Sequence, residues 1–295
     1  MKNSTKILVF SAVIVGLCVQ DPSATLVAND QVLSRAIQTK AANAEEKTQE
    51  EARRLWEQAI TAKGGRKRLY AIQNILISQS ANYKKQKFSL PRRYAVSPSK
   101  GNHVRTVALY VFPNKFWDCE DYRPDVFGIL MHMYNYETGK NYVITLGEPH
   151  HPLEPIEPKE TRESRTYGLV SYLLETTWLK PIPLRASDGK IGLRQFVIVQ
   201  TSLNGQRVDF AFDRKTHLLA EVKYYSASND KTYVTTDVLS DYTIVDGIQV
   251  PQTVIVDGTK YQERIQFDVE YDPEIFVKLP SLEAGLDAWR PKGKK

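Results

Sequence analysis

The chain has 295 residues, 42% of them hydrophobic, which is enough apolar material to bury a large core. Its formal charge of +6 is modest, and basic and acidic residues are interleaved instead of forming a basic stripe, which argues against nucleic acid as a partner. Lys84-Lys85-Gln86-Lys87, Arg92-Arg93 and the tail Arg290 to Lys295 are the exceptions, and they read as a solvated loop and a frayed end.

The N-terminus carries Lys2 and Lys6, an apolar run from Ile7 to Val19, then Asp21-Pro22. That layout predicts an export signal over 1–24 and places the mature protein outside the cytoplasm, membrane-tethered if the leader is retained or Cys18 is lipidated. Cleavage after Cys18 fits the small-residue rule through Gly16 and Cys18, with Ala24 as the alternative position, while Leu17 disfavours lipidation of Cys18. Residues 25–45 read as a flexible leader, 46–280 as one domain and 281–295 as a basic tail.

A helix is expected to start near Glu45, because Ala52, Leu55, Trp56, Ala59 and Ile60 fall on one face and Gly64-Gly65 can end it. Strands follow over Ile72 to Tyr83, Arg93 to Val96, Val104 to Phe112, Met131 to Tyr136 and Tyr142 to Leu146, with a turn at Thr138-Gly139-Lys140. Between them, Asp118, Glu120, Asp121 and Asp125 read as a solvated acidic loop. Four prolines between Pro149 and Pro158 exclude regular structure there. A second helix is predicted over Arg162 to Leu179, with Tyr167, Val170, Leu174 and Trp178 making one apolar line that Leu169, Tyr172 and Leu173 broaden.

From Leu193 to Tyr271 the pattern becomes a strand meander. Asn204-Gly205 marks a tight hairpin, with Val208, Phe210 and Phe212 on one side of the next strand and Arg207, Asp209 and Asp213 on the other. The last strand sets Ile265, Phe267, Val269 and Tyr271 against Arg264, Gln266, Asp268 and Glu270. A sheet with one apolar face must be covered by something, so the predicted fold class is α+β, an antiparallel sheet with helices against its apolar face.

The exported leader, the helix running into Ala62-Lys63-Gly64-Gly65 and Leu69 to Asn74, and the run containing Phe212-Asp213, Asp241-Tyr242, Val245-Asp246-Gly247-Ile248 and Val250-Pro251 together resemble the LolA/LolB-like superfamily of periplasmic lipoprotein carriers. The resemblance spans about residues 46–280 and implies a curved antiparallel sheet forming an unclosed barrel, with helices packed on a concave face that holds lipid or the acyl chains of lipoproteins, and with an envelope protein as a possible partner. It implies no cofactor and no enzymatic activity. On that reading Val208, Phe210, Phe212, Ile265, Phe267 and Val269 are the candidate cavity wall, and the 162–179 helix is its cover.

His103, His132, His150, His151 and His217 lack zinc-ligand spacings, and no Gly-x-Ser-x-Gly elbow is present. Cys119 reads as an inert, part-buried thiol. Two other readings stay open: an envelope hydrolase using scattered carboxylates, and a non-catalytic scaffold. A tight polar group in a cavity marks the first, and an exposed apolar patch the second.

Overall fold

The computed structural model describes residues 46–82, 103–121, 129–146, 168–191, 193–228, 231–256 and 258–277. The export segment, the leader, the C-terminal tail, the Arg93–Val96 strand, the Lys84–Lys87 loop, Asp125, the proline-rich stretch with His150-His151, and Tyr167 lie outside them. Chain contacts divide the protein into two units, Met1–Lys47 and Thr48–Lys295. The following concerns the second.

Helix α1 covers 46–63 and buries Ala52, Trp56, Ala59 and Ile60, the face that the 3.6-residue period marks. It ends where Gly64 and Gly65 adopt φ of 136° and 88°. A side chain at Gly64 is also excluded sterically, because a Cβ there would sit 2.5 Å from the Gly247 carbonyl oxygen. A short helix α2, Arg66–Ala71, leads into the sheet.

Twelve antiparallel strands form one open sheet. They are β1 Asn74–Asn82, β2 His103–Val111, β3 Lys115–Asp121, β4 Ile129–Asn135, β5 Lys140–Leu146, β6 Ile182–Ile191, β7 Arg194–Leu203, β8 Gln206–Asp213, β9 Leu219–Ser228, β10 Lys231–Val245, β11 Ile248–Val256 and β12 Thr259–Phe267. Their spatial order is β5-β4-β3-β2-β1-β12-β11-β10-β9-β8-β7-β6. Two meanders are therefore stitched together by the β1–β12 pair. The β7–β8 hairpin turns at Asn204 and Gly205, both with positive φ, as the Asn-Gly dipeptide predicts.

The sheet is strongly curved. One apolar cluster takes side chains from β1, β12, β11, β10, β9, β8 and β7, all gathered on α1, α2 and residues 169–179. Seven strands laid flat would span roughly 29 Å at the usual spacing of about 4.8 Å, and a helix only about 10–12 Å across cannot touch them all unless the sheet wraps around it.

Four expectations from sequence are corrected here. The second helix, α3, occupies 168–173 among the described residues and stops well before Leu179. Leu174 takes φ 60°, and the next residues form a turn held by Thr176, which accepts from the Leu179 N–H at 3.0 Å. The acidic stretch is not a loop: Asp118 and Asp121 lie in β3, only 2% exposed. Strand β6 was not expected at all. Pro183 and its polar residues hide it, and it survives because it is an edge strand. Finally, the back of the sheet is not uniformly charged. Leu76, Leu109, Trp117, Cys119, Met131 and Met133 form a second core there, covered by Ile275 and Phe276 of a 3-10 turn, Pro273–Phe276.

Candidate functional site

Register, more than any single residue, defines the site. Directly paired residues of an antiparallel sheet share a face, so the ladder from β12 to β4 can be followed row by row. The innermost row is Phe267, Ile75, Tyr110, Phe116 and Tyr134. The next is Ile265, Ile77, Ala108, Asp118 and His132, and the third is Glu263, Gln79, Thr106, Glu120 and Leu130. Ile75, Ile77, Ile265 and Phe267 belong to the cluster under the helices, so these rows lie on the concave face. That face grades from aromatic to acidic over three rows.

The aromatic end is continuous. Ring centroids of Tyr110 and Phe116 are 4.6 Å apart, those of Phe116 and Tyr134 5.7 Å, and those of Tyr134 and Tyr136 6.0 Å. Trp178 packs on Phe112 at 5.0 Å and extends the surface toward the core.

At the acidic end, Glu263 is 8% exposed. Its Oε1 accepts from the Gln79 amide at 2.5 Å and from the Tyr172 hydroxyl at 2.8 Å, while its buried Oε2 has no hydrogen-bond partner. Burial pushes this carboxyl up to about 7, the nearby Asp237 adds to the rise, and the two donors oppose it. Burial likewise raises the Tyr172 and Tyr224 phenols. On β3 and β4, Asp118 Oδ1 lies 2.6 Å from His132 Nδ1 and accepts the His132 backbone N–H at 3.0 Å. With Glu120, these residues bring three metal-competent donor atoms within 4.8 Å of one another. The sequence search for spaced ligands missed this trio because it is assembled across two strands.

A different carboxylate anchors the cover. Glu175 accepts from Trp56 Nε1 at 2.9 Å, Arg66 Nε at 2.6 Å and the Tyr70 hydroxyl at 2.6 Å. Burial works against its charge, yet these donors hold it below the usual carboxylate range. Lys63, at the end of α1, is 1% exposed, makes no hydrogen bond through Nζ, and lies over the Tyr242 ring at 5.5 Å. Burial brings it down to about 7.

Of the wall residues expected from sequence, Val208, Phe210, Phe212, Ile265 and Phe267 are in the concave core, each 4% exposed or less. They contact helix as well as sheet: Trp56 meets Phe210 edge-on at 5.0 Å and Phe212 at 5.9 Å. Val269 goes to the other face and joins the core behind the sheet. Asp268 has φ 49°, and this left-handed residue breaks the two-residue alternation on which the expectation stood. Val170 and Leu174 of the expected cover are fully buried, and Trp178 is partly so. Glu263 was overlooked although a signal existed: it sits two residues before Ile265, in the inward register of an otherwise apolar set.

Fold and site together define an α+β half-barrel with a helix-filled apolar floor and an acidic upper wall. No protein-family model and no curated protein matches the chain. Among solved structures, a DUF1329 family protein from Desulfovibrio piger aligns with 76% of this chain and 96% of its own, at 11% identity and a TM-score of 0.46. A LolA superfamily protein from Nitrosomonas europaea aligns with 77% of this chain and 97% of its own, at 11% identity and a TM-score of 0.44.

Proposed function

We propose that this chain is an exported, non-enzymatic binding protein for a hydrophobic ligand, a lipid or the acyl part of a lipidated polypeptide, carried in the periplasm. The observation behind this reading is the concave face itself, which runs past the helix-filled core as the aromatic row Tyr110, Phe116, Tyr134 and Tyr136. Rings kept from water, with Phe116 at 2% and Tyr134 at 1% exposure, suit an alkyl chain. A buried methylene contributes about 0.8 kcal/mol, so roughly ten of them support micromolar binding after association costs of several kcal/mol. Titration of the purified protein with a fluorescent fatty-acid analogue tests the reading. Saturable binding that weakens at least tenfold in Phe116→Ala is expected; binding that is absent, or indifferent to that substitution, counts against it.

A second reading has one specific observation behind it, the Asp118, Glu120 and His132 trio. Those donors suit a divalent transition metal, and a hydrolase would use the metal to activate water. Zinc binding by equilibrium dialysis, lost in His132→Ala and accompanied by ester hydrolysis, would favour this reading over a carrier.

A further inference from the structure

Glu263 is the least explained group on the concave face. A carboxyl taken out of water is ordinarily hydrogen-bonded at both oxygens, and an unmet one carries a desolvation penalty. Here both available donors, Gln79 and Tyr172, converge on Oε1, and Oε2 is left open although it is fully enclosed. Among the described residues no Lys or Arg pairs with it. Its surroundings are phenols and a second carboxyl: Tyr172 lies within electrostatic reach of Glu263, Asp237 and Tyr110, and Tyr224 within reach of Asp237 and Tyr110. One row lower begins the aromatic and aliphatic floor of Ile265, Phe267 and Ile75.

A buried carboxyl oxygen without a donor, set among phenols and a second carboxyl, favours one kind of guest. An ammonium group gives N–H donors to the carboxylate and a positive charge that offsets its burial. A divalent metal would need several further hard ligands, which an amide and phenols supply poorly. A carboxylate guest would meet like charge from Glu263, Asp237 and Glu120.

We propose that the upper rows of the concave face form a head-group subsite for an ammonium-bearing amphiphile, in which Glu263 Oε2 accepts an ammonium N–H while the alkyl chain runs along the aromatic row. This rests on the hydrophobic-ligand reading above and adds the polarity of the ligand's head. Gln79 and Tyr172 both bond Oε1, so the guest takes the open Oε2 without displacing a donor. The net charge of +6 works against unspecific adsorption of a cation, which makes amine selectivity informative.

The test compares dodecylamine, dodecanol and dodecanoate, titrated by calorimetry below their aggregation limits near pH 8. The subsite predicts dodecylamine binding at least about tenfold tighter than dodecanol, the gain of one charge-assisted hydrogen bond, with dodecanoate weakest. Glu263→Gln, which keeps the shape, should abolish the amine preference, bringing dodecylamine to within about twofold of dodecanol. Dodecanoate binding as tightly as dodecylamine in the parent overturns the subsite alone, and needs no variant to be folded. An amine preference that persists in Glu263→Gln overturns it as well. If none of the three binds, the hydrophobic-ligand reading falls, and the subsite with it.

Discussion

Lys63 and Glu263 are both buried ionisable groups, and they bend the stability of the protein in opposite senses. Glu263 holds its proton more tightly folded than unfolded, so its contribution is greatest below its ordinary value of 4.5 and is lost as pH rises to about 7. Lys63 holds its proton less tightly folded, so the penalty of burying it shrinks as pH rises from about 7 toward 10.5. These two groups together predict a local minimum of stability near neutral pH, with limbs of at most about 3 and 5 kcal/mol at about 1.4 kcal/mol per pKa unit. Denaturant unfolding across pH checks this: Lys63→Met should be more stable than the parent at pH 7 and should flatten the alkaline limb. A parent curve with no rise above pH 7 would mean that Lys63 finds a partner in solution. Phe210 carries a simpler expectation. It is fully buried against Trp56, so Phe210→Ala should cost about 3–5 kcal/mol, the loss of a solid core contact. A loss below about 1 kcal/mol would mean that the space beneath α1 is open.

Among elements, α3 is the one placed to move. It ends at Leu174, where the backbone turns left-handed, and it has no strand ladder to hold it. Side chains tie it down instead, Tyr172 to Glu263 and, just beyond its end, Glu175 to Trp56, Arg66 and Tyr70. Amide hydrogen exchange should therefore show residues 169–175 opening at lower free energy than β8 and β12, and Glu175→Ala should lower that opening energy by about 2–4 kcal/mol. Protection equal to that of the strands would make α3 a fixed part of the core. The elements also mark where sequence reading works. α1 and the β7–β8 hairpin were legible because helical period, Asn-Gly and alternation all point one way. α3 was read too long, because Leu174, Glu175, Thr176 and Trp178 keep the apolar period while their backbone leaves the helix at Leu174. β3 was read as a loop because acidic residues disfavour strands, and only its register between β2 and β4 accounts for the buried Asp118 and Asp121.

At the scale of the molecule, the sheet is two meanders joined at β1–β12, and that seam is where the candidate ligand face is built. β12 comes from the end of the chain and β1 from its beginning, so no local stretch of sequence contains the rows that cross them. The same long-range pairing explains why alternation along single strands put five of the six expected residues on the concave face, while Glu263, Gln79 and the Asp118, Glu120 and His132 trio were not grouped. It also accounts for the two cores. The concave one holds the helices, and the one behind the sheet is sealed by the chain after β12, which crosses over at Asp268. The candidate ligand face is thus backed by packed side chains on its far side, which keeps the aromatic row in place. The most direct measurement is photo-crosslinking with an alkyl amine bearing a diazirine near the end of its chain, followed by peptide mapping. Labelling should concentrate on Tyr110, Phe116 and Tyr134, with unlabelled dodecylamine competing it away. Labelling that falls instead on Trp117, Met131 and Met133 of the opposite face, or on Ile182 and Leu184 of the exposed edge strand, would contradict a ligand-binding concave face.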